Sequence, residues 1–174
     1  TVAGACMGMI GDIVLDLKYT YSKDSDKFLR MGFISFLIGH IFYYISLIAA
    51  YGAAIENFLH SLCAGVVVFV FVVFSEKIMK IKFGKFKWIT AVYMGVVGLT
   101  VGLGFSYILS DRNTHTIMFF VAMILFLLSD MLLSGLYFGT REKDKKNQVA
   151  ITFNHIFHYS AQYLIAASLI LYRG

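Results

Sequence analysis

Charge is what this 174-residue chain has least of. Only 14% of its residues are Asp, Glu, Lys or Arg, against about a quarter in soluble domains. Hydrophobic residues make up 59% and the mean hydropathy is +0.77. A water-soluble core of this length needs no such apolar excess, so a soluble globular domain is excluded. No polar linker and no soluble module separates the apolar runs, which leaves one membrane domain, residues 1–174. Proline is absent, so any break in a helix has to come from glycine or from packing. Cysteine is scarce: Cys6 and Cys63 both lie within apolar runs and match no metal or redox spacing. They read as small hydrophobes. The formal net charge is +5, yet the basic residues sit beside apolar runs. That placement suits anionic lipid headgroups, so the bilayer is the expected partner and nucleic acid is not. The first run has neither a basic leader nor a small-residue cleavage site, so it is not a signal peptide. It begins at Thr1, already inside an apolar run, and a natural start is expected upstream.

What is present is a series of apolar runs, each about the 20 residues that cross a ~30 Å hydrocarbon layer as a helix. They predict an all-α, polytopic transmembrane bundle of six spans, at 1–17, 28–50, 57–75, 88–109, 115–138 and 148–171. The connections alternate in charge. Segment 18–30 carries Lys18, Lys23, Lys27 and Arg30; segment 76–87 carries Lys77, Lys80, Lys82, Lys85 and Lys87; segment 140–147 carries Arg141, Lys143, Lys145 and Lys146. Of the 15 basic residues only Arg112 and Arg173 lie elsewhere. The positive-inside rule makes the basic side cytoplasmic, in a bacterium the inner face of the cytoplasmic membrane, with Thr1 and Gly174 on the other side. Gly4, Gly8 and Gly11 in the first span, and Gly95, Gly98 and Gly102 in the fourth, recur at a spacing that lets helices approach closely.

The informative residues are polar ones inside the apolar runs. A charge near the centre of a span costs roughly 2.5–3.5 kcal/mol on insertion scales, and Asp12 and Asp130 both stand where that cost applies. Asp16 lies nearer the basic end and reads as interfacial. At about 1.5 Å of rise per residue, and counting from the nearest basic flank, Asp12 lies roughly 9 Å deep, His40 roughly 15 Å, Asp130 roughly 16 Å, His155 roughly 14 Å and Tyr159 roughly 20 Å. Four spans therefore place polar groups in one layer. In the last span Thr152, His155, His158, Tyr159 and Gln162 fall within an arc of about 120°, which predicts one polar face turned into the bundle. In the second span Tyr43 and Tyr44 follow His40 by one turn, as packing aromatics or as part of the layer. His60 reads as a helix-bridging hydrogen-bonder. Intramembrane carboxylates are a functional-site hypothesis by default, and Asp12 and Asp130 are expected to converge on one cavity.

These residues resemble the YhhN-like lysoplasmalogenase family of integral membrane proteins. The resemblance is carried by Gly11-Asp12; by Phe28, Gly32, Phe36 and Gly39-His40 with Tyr43; by Ser129-Asp130; and by Tyr159 with Gln162-Tyr163-Leu164-Ile165. His158 departs from it, standing where an aromatic residue is commoner, and Asp16 has no counterpart. The resemblance implies about eight spans, two of them before Thr1. It also implies hydrolysis of the vinyl ether bond of a lysoplasmalogen-type lysophospholipid to a fatty aldehyde and a glycerophospho-alcohol.

Vinyl ethers break by acid chemistry. A general acid protonates the alkene carbon, water adds to the oxocarbenium ion, and the hemiacetal collapses. Two carboxyls in different environments suit this, one as acid and one as fixed negative charge. The expected catalytic groups are Asp12, Asp130 and His40, with His40 orienting water or a carboxylate. Tyr43, His155, His158, Tyr159 and Gln162 are the expected substrate contacts. No cofactor and no metal is required, though a layer of His and Asp holds donors for one. A proton or ion relay through a transporter is the competing class, disfavoured by the lack of a repeated pair of interrupted spans. A purely structural or lipid-sensing polar layer is the third.

Overall fold

The computed structural model describes residues 1–79, 81–141 and 147–173. Lys80, residues 142–146 and Gly174 lie outside it, so the charges expected at Lys143, Lys145 and Lys146, and the placement of Gly174, fall outside the described residues. The described residues form six long helices: α1 Val2–Thr20, α2 Ser25–Tyr51, α3 Ile55–Met79, α4 Lys87–Ser110, α5 Thr114–Phe138 and α6 Gln148–Arg173. Each predicted span coincides with one helix. The helices outrun the apolar runs at the basic end, where residues 25–27 and 76–79 remain helical in charged turns.

Four of the six, α2, α3, α5 and α4 with its preceding turn, are long and apolar enough to cross a membrane. The six-span expectation is met on that measure by these four. The reason lies in the composition of the other two. Helix α1 carries Asp12, Asp16 and Lys18, and α6 carries Asn154, His155, His158 and Gln162. The polar groups that mark the layer are the ones that lower the hydropathy of the helices holding them.

The helices pack as three consecutive hairpins, α1 on α2, α3 on α4 and α5 on α6, with α4 against both α2 and α5. Glycine sets two of these interfaces. A Cβ on Gly4 would stand 2.7 Å from the Tyr43 ring, and one on Gly39 would stand 3.1 Å from the Gly4 carbonyl oxygen. Along α4, a Cβ on Gly98 would lie 2.9 Å from the Ala64 carbonyl and one on Gly102 would lie 2.5 Å from the His60 carbonyl. Backbones this close leave room for glycine alone, as the spacing predicted. Helix α4 forms the centre, with Ala91, Tyr93, Met94, Val97, Leu103 and Tyr107 buried. Helix α3 is peripheral and turns Phe58, Leu62, Val66, Val70 and Phe74 outward, which suits contact with lipid.

The basic segments meet at one end. Lys85 pairs with Asp26, Lys18 lies over the Tyr137 ring, and Lys82 donates its backbone N–H to the Phe138 carbonyl at 2.8 Å. Phe33, Phe83 and Phe86 gather round Phe138 and seal that end from within. His60 bridges helices as expected. Its Nδ1 lies 3.0 Å from Ser106 Oγ, which donates to Asn57 Oδ1 at 2.7 Å.

Candidate functional site

Two polar clusters occupy the predicted layer. The first joins α1 to α6. His158 Nε2 is 3.1 Å from Asp12 Oδ1 and 3.1 Å from Oδ2. Gln162 donates from Nε2 to Asp12 Oδ2 at 3.4 Å, and the same Nε2 lies 3.0 Å from His158 Nε2. One ring nitrogen cannot donate and accept at once. With a proton on Nε2 the imidazole donates to Asp12; without it, Nε2 accepts from the Gln162 amide. Asp12 keeps 37% of its side chain exposed.

The second cluster joins α4 to α5. Tyr93 donates its hydroxyl to Asp130 Oδ2 at 2.6 Å, and Asp130 is 5% exposed. Beside it, Asn154 of α6 donates from Nδ2 to the Ser129 carbonyl at 2.8 Å and contacts Ser129 Oγ at 2.9 Å, while Ser129 Oγ reaches back to the Asn154 carbonyl at 3.3 Å. This reciprocal clamp fixes the rotation of α6 against α5. Thr90, Tyr93, Asp130 and Ser134 line a cavity of about 10 Å³ between α4, α5 and Phe33 of α2.

The clusters face each other across aromatic rings. Phe36 touches His158 and Tyr93, with ring centroids 6.1 and 6.3 Å away. Phe126 touches His158 at 5.0 Å and His40 at 4.7 Å. The expectation of one shared cavity changes in form: Phe36 touches a partner of each carboxyl, His158 and Tyr93, and Asp130 lines the small cavity while Asp12 stays partly exposed.

His40 is 1% exposed and packs against Tyr43, Tyr93 and Phe126. Neither of its ring nitrogens has a hydrogen-bond partner among the described residues, so it is bonded to neither carboxyl. Tyr43 is buried against Gly4 and touches His40 and Phe119.

The expected polar arc of α6 is divided. His158 and Gln162 face Asp12, whereas His155 and Tyr159 stack on each other with centroids 5.9 Å apart on the exposed side, Tyr159 being 63% exposed. Thr152 is exposed as well. The Ser129–Asn154 clamp, with Ala161 and Ile165 buried on the same side, sets this rotation. Sequence reasoning missed Tyr93 and Asn154. Tyr93 stands six residues from Lys87, roughly 9 Å deep and so within the layer, but a tyrosine in an apolar span reads as packing. Asn154 adjoins His155 and fell outside the arc drawn through the histidines. Among the described residues no three His, Cys, Asp or Glu side chains gather as a metal-binding set would.

At the opposite end from the basic segments a larger cavity, about 640 Å³, is lined by Ser46, Leu47, Tyr51, His115, Phe119 and Ser168 among others. Its wall residue Phe119 touches Tyr43, and Tyr43 touches His40.

A helical membrane bundle with two carboxyl clusters facing across its core is the class these observations define. The chain belongs to the YhhN family, whose sequence model matches residues 1–169. No curated protein and no solved structure matches it.

Proposed function

We propose that this protein is a membrane-embedded hydrolase that cleaves the vinyl ether bond of lysoplasmalogen-type lysophospholipids. The observation that carries the reading is the pair of carboxyls in unlike settings: Asp130 buried and held by Tyr93, Asp12 partly exposed and held by His158 and Gln162. Family membership supports it. We assign the proton donor to Asp130. Tyr93 occupies its Oδ2, which leaves the other oxygen to carry the proton. We assign Asp12 the role of the fixed charge that steadies the oxocarbenium ion, with His158 and Gln162 holding it in place. His40, whose nitrogens no described residue occupies, contacts substrate or water. The 640 Å³ cavity has the size of a ligand site, and its largely apolar walls suit a hydrocarbon chain. On this reading all six helices cross the bilayer, with the basic end cytoplasmic.

The chemistry balances without a co-reactant other than water. A proton moves to the alkene carbon, water oxygen bonds to the neighbouring ether carbon, and the hemiacetal C–O bond breaks to give aldehyde and alcohol. The test is aldehyde release from a 1-alkenyl lysophospholipid by full-length protein purified in detergent, with the saturated 1-alkyl analogue as control. Release from the alkenyl lipid alone is expected, because the analogue has no alkene to protonate. A protein that releases no aldehyde from either lipid would end this reading.

A further inference from the structure

Thr90 is 1% exposed, and its hydroxyl has no hydrogen-bond partner among the described residues. That is unusual for a helical threonine, which can donate to a carbonyl of the preceding turn. Thr100, ten residues along the same helix, does so: its Oγ1 donates to the Val96 carbonyl at 3.0 Å. Leaving a buried hydroxyl unpaired is costly, so a ligand that pairs with it is favoured. The cavity that Thr90 lines answers this. At about 10 Å³ it has room for one water beside the Asp130 carboxyl. Its polar walls are Thr90, Tyr93, Asp130 and Ser134, enough partners for the two to four hydrogen bonds a buried water makes. It lies on the basic-end side of the Tyr93–Asp130 bond, because Thr90 precedes Tyr93 by one turn of α4 and Ser134 follows Asp130 by one turn of α5. Phe33, Phe83, Phe86 and Phe138 close that end.

We propose that Thr90 is a positioning residue that holds the hydrolytic water against Asp130. The proposal rests on the hydrolase reading above and names the second substrate's site. The reaction fits one carboxyl and one adjoining water. Asp130 gives its proton to the alkene carbon, and the positive charge then lies on the next atom, the ether carbon. Water oxygen bonds to that carbon, and the proton it sheds returns to the Asp130 carboxylate. The hemiacetal then breaks its bond to the glycerol oxygen, which takes the hydroxyl proton. Asp130 ends protonated, ready for another turnover.

The test uses full-length protein, with Thr90→Val removing only the hydroxyl and Thr90→Ser keeping it. Thr90→Val is expected to lower kcat for aldehyde release about tenfold with KM unchanged, the scale of one lost positioning hydrogen bond. Thr90→Ser should restore most of it. A high-resolution structure should show a water within hydrogen-bond distance of Thr90 Oγ1 and Asp130 in the wild type and none in Thr90→Val. Wild-type kcat in Thr90→Val, equal loss in Val and Ser variants, or a wild-type map without that water would each overturn the proposal. If wild-type protein releases no aldehyde but the map holds the water, the site stands and its role in attack falls with the hydrolase reading.

Discussion

The end of the α3–α4 hairpin away from the basic segments and the polar layer built on α1, α2, α4, α5 and α6 both bury polar groups in an apolar bundle, and they do so in opposite ways. In the hairpin, His60, Ser106 and Asn57 form a closed chain of hydrogen bonds, and Ser61 donates to the Leu99 carbonyl at 2.8 Å. In the layer, both nitrogens of His40 and the hydroxyl of Thr90 are left without described partners, and His158 Nε2 can donate to Asp12 or accept from Gln162 but not both. A saturated network specifies packing, whereas an unsaturated one keeps sites open for something that arrives. Saturation, more than polarity, separates scaffold from candidate chemistry here.

The largest effect expected is on the carboxyls. Asp130→Asn and Asp12→Asn keep shape and remove the proton source or the fixed charge, so each should cut vinyl ether hydrolysis by 10²-fold or so. Folding should survive, because an intramembrane ionisable group has been neutralised. Near-wild-type turnover in either variant would take that residue out of the mechanism and erase its contrast with the hairpin.

Next comes the scaffold. A side chain on Gly102 must displace the His60 carbonyl, 2.5 Å from its Cβ position. Gly102→Val should therefore destabilise by about 1–3 kcal/mol, read as a lower unfolding temperature in detergent. Unchanged stability would mean that the hairpin does not depend on close approach.

The two histidines sharpen the comparison. His40→Phe removes two unpaired buried nitrogens among aromatic neighbours, so it should raise stability by about 1 kcal/mol or more while lowering turnover at least tenfold. His60→Phe breaks the contact with Ser106 and should cost about 0.6 kcal/mol with turnover unchanged. The reverse pattern would make His40 the scaffold histidine. The smallest effects belong to the outer face of α6. Tyr159→Phe and His155→Ala should change turnover less than about twofold, since both side chains are exposed and the Tyr159 ring, which touches His158 edge-on, is kept by phenylalanine; a loss matching that of His158→Ala would restore the full predicted arc to the site.

Much of this was legible along the chain. Runs of apolar residues located all six helices to within a few residues, because hydropathy and helix length are local properties. The glycine spacing identified the faces of α1 and α4 that pack closely, because that spacing repeats with the helix turn. The basic segments were assigned to one end, and Lys85 with Asp26, and Lys18 with Tyr137, bring the described ones together there. Asp12 and Asp130 stood out because a charge in an apolar run is improbable without a use.

The tertiary structure alone decided what each polar group meets. His158 reaches Asp12 across 146 positions of sequence, and Asp130 finds its hydroxyl partner on α4, 37 positions away. No local pattern carries such pairings. The rotation of α6 was equally out of reach. A polar arc drawn through His155, His158 and Tyr159 assumed that polarity alone orients a helix, but the Asn154–Ser129 clamp and the apolar contacts of Ala161 and Ile165 orient it instead. Composition determined that this chain is a membrane bundle with acidic groups inside. Packing, which depends on how distant side chains fill space together, decided which of those groups are satisfied and which remain open.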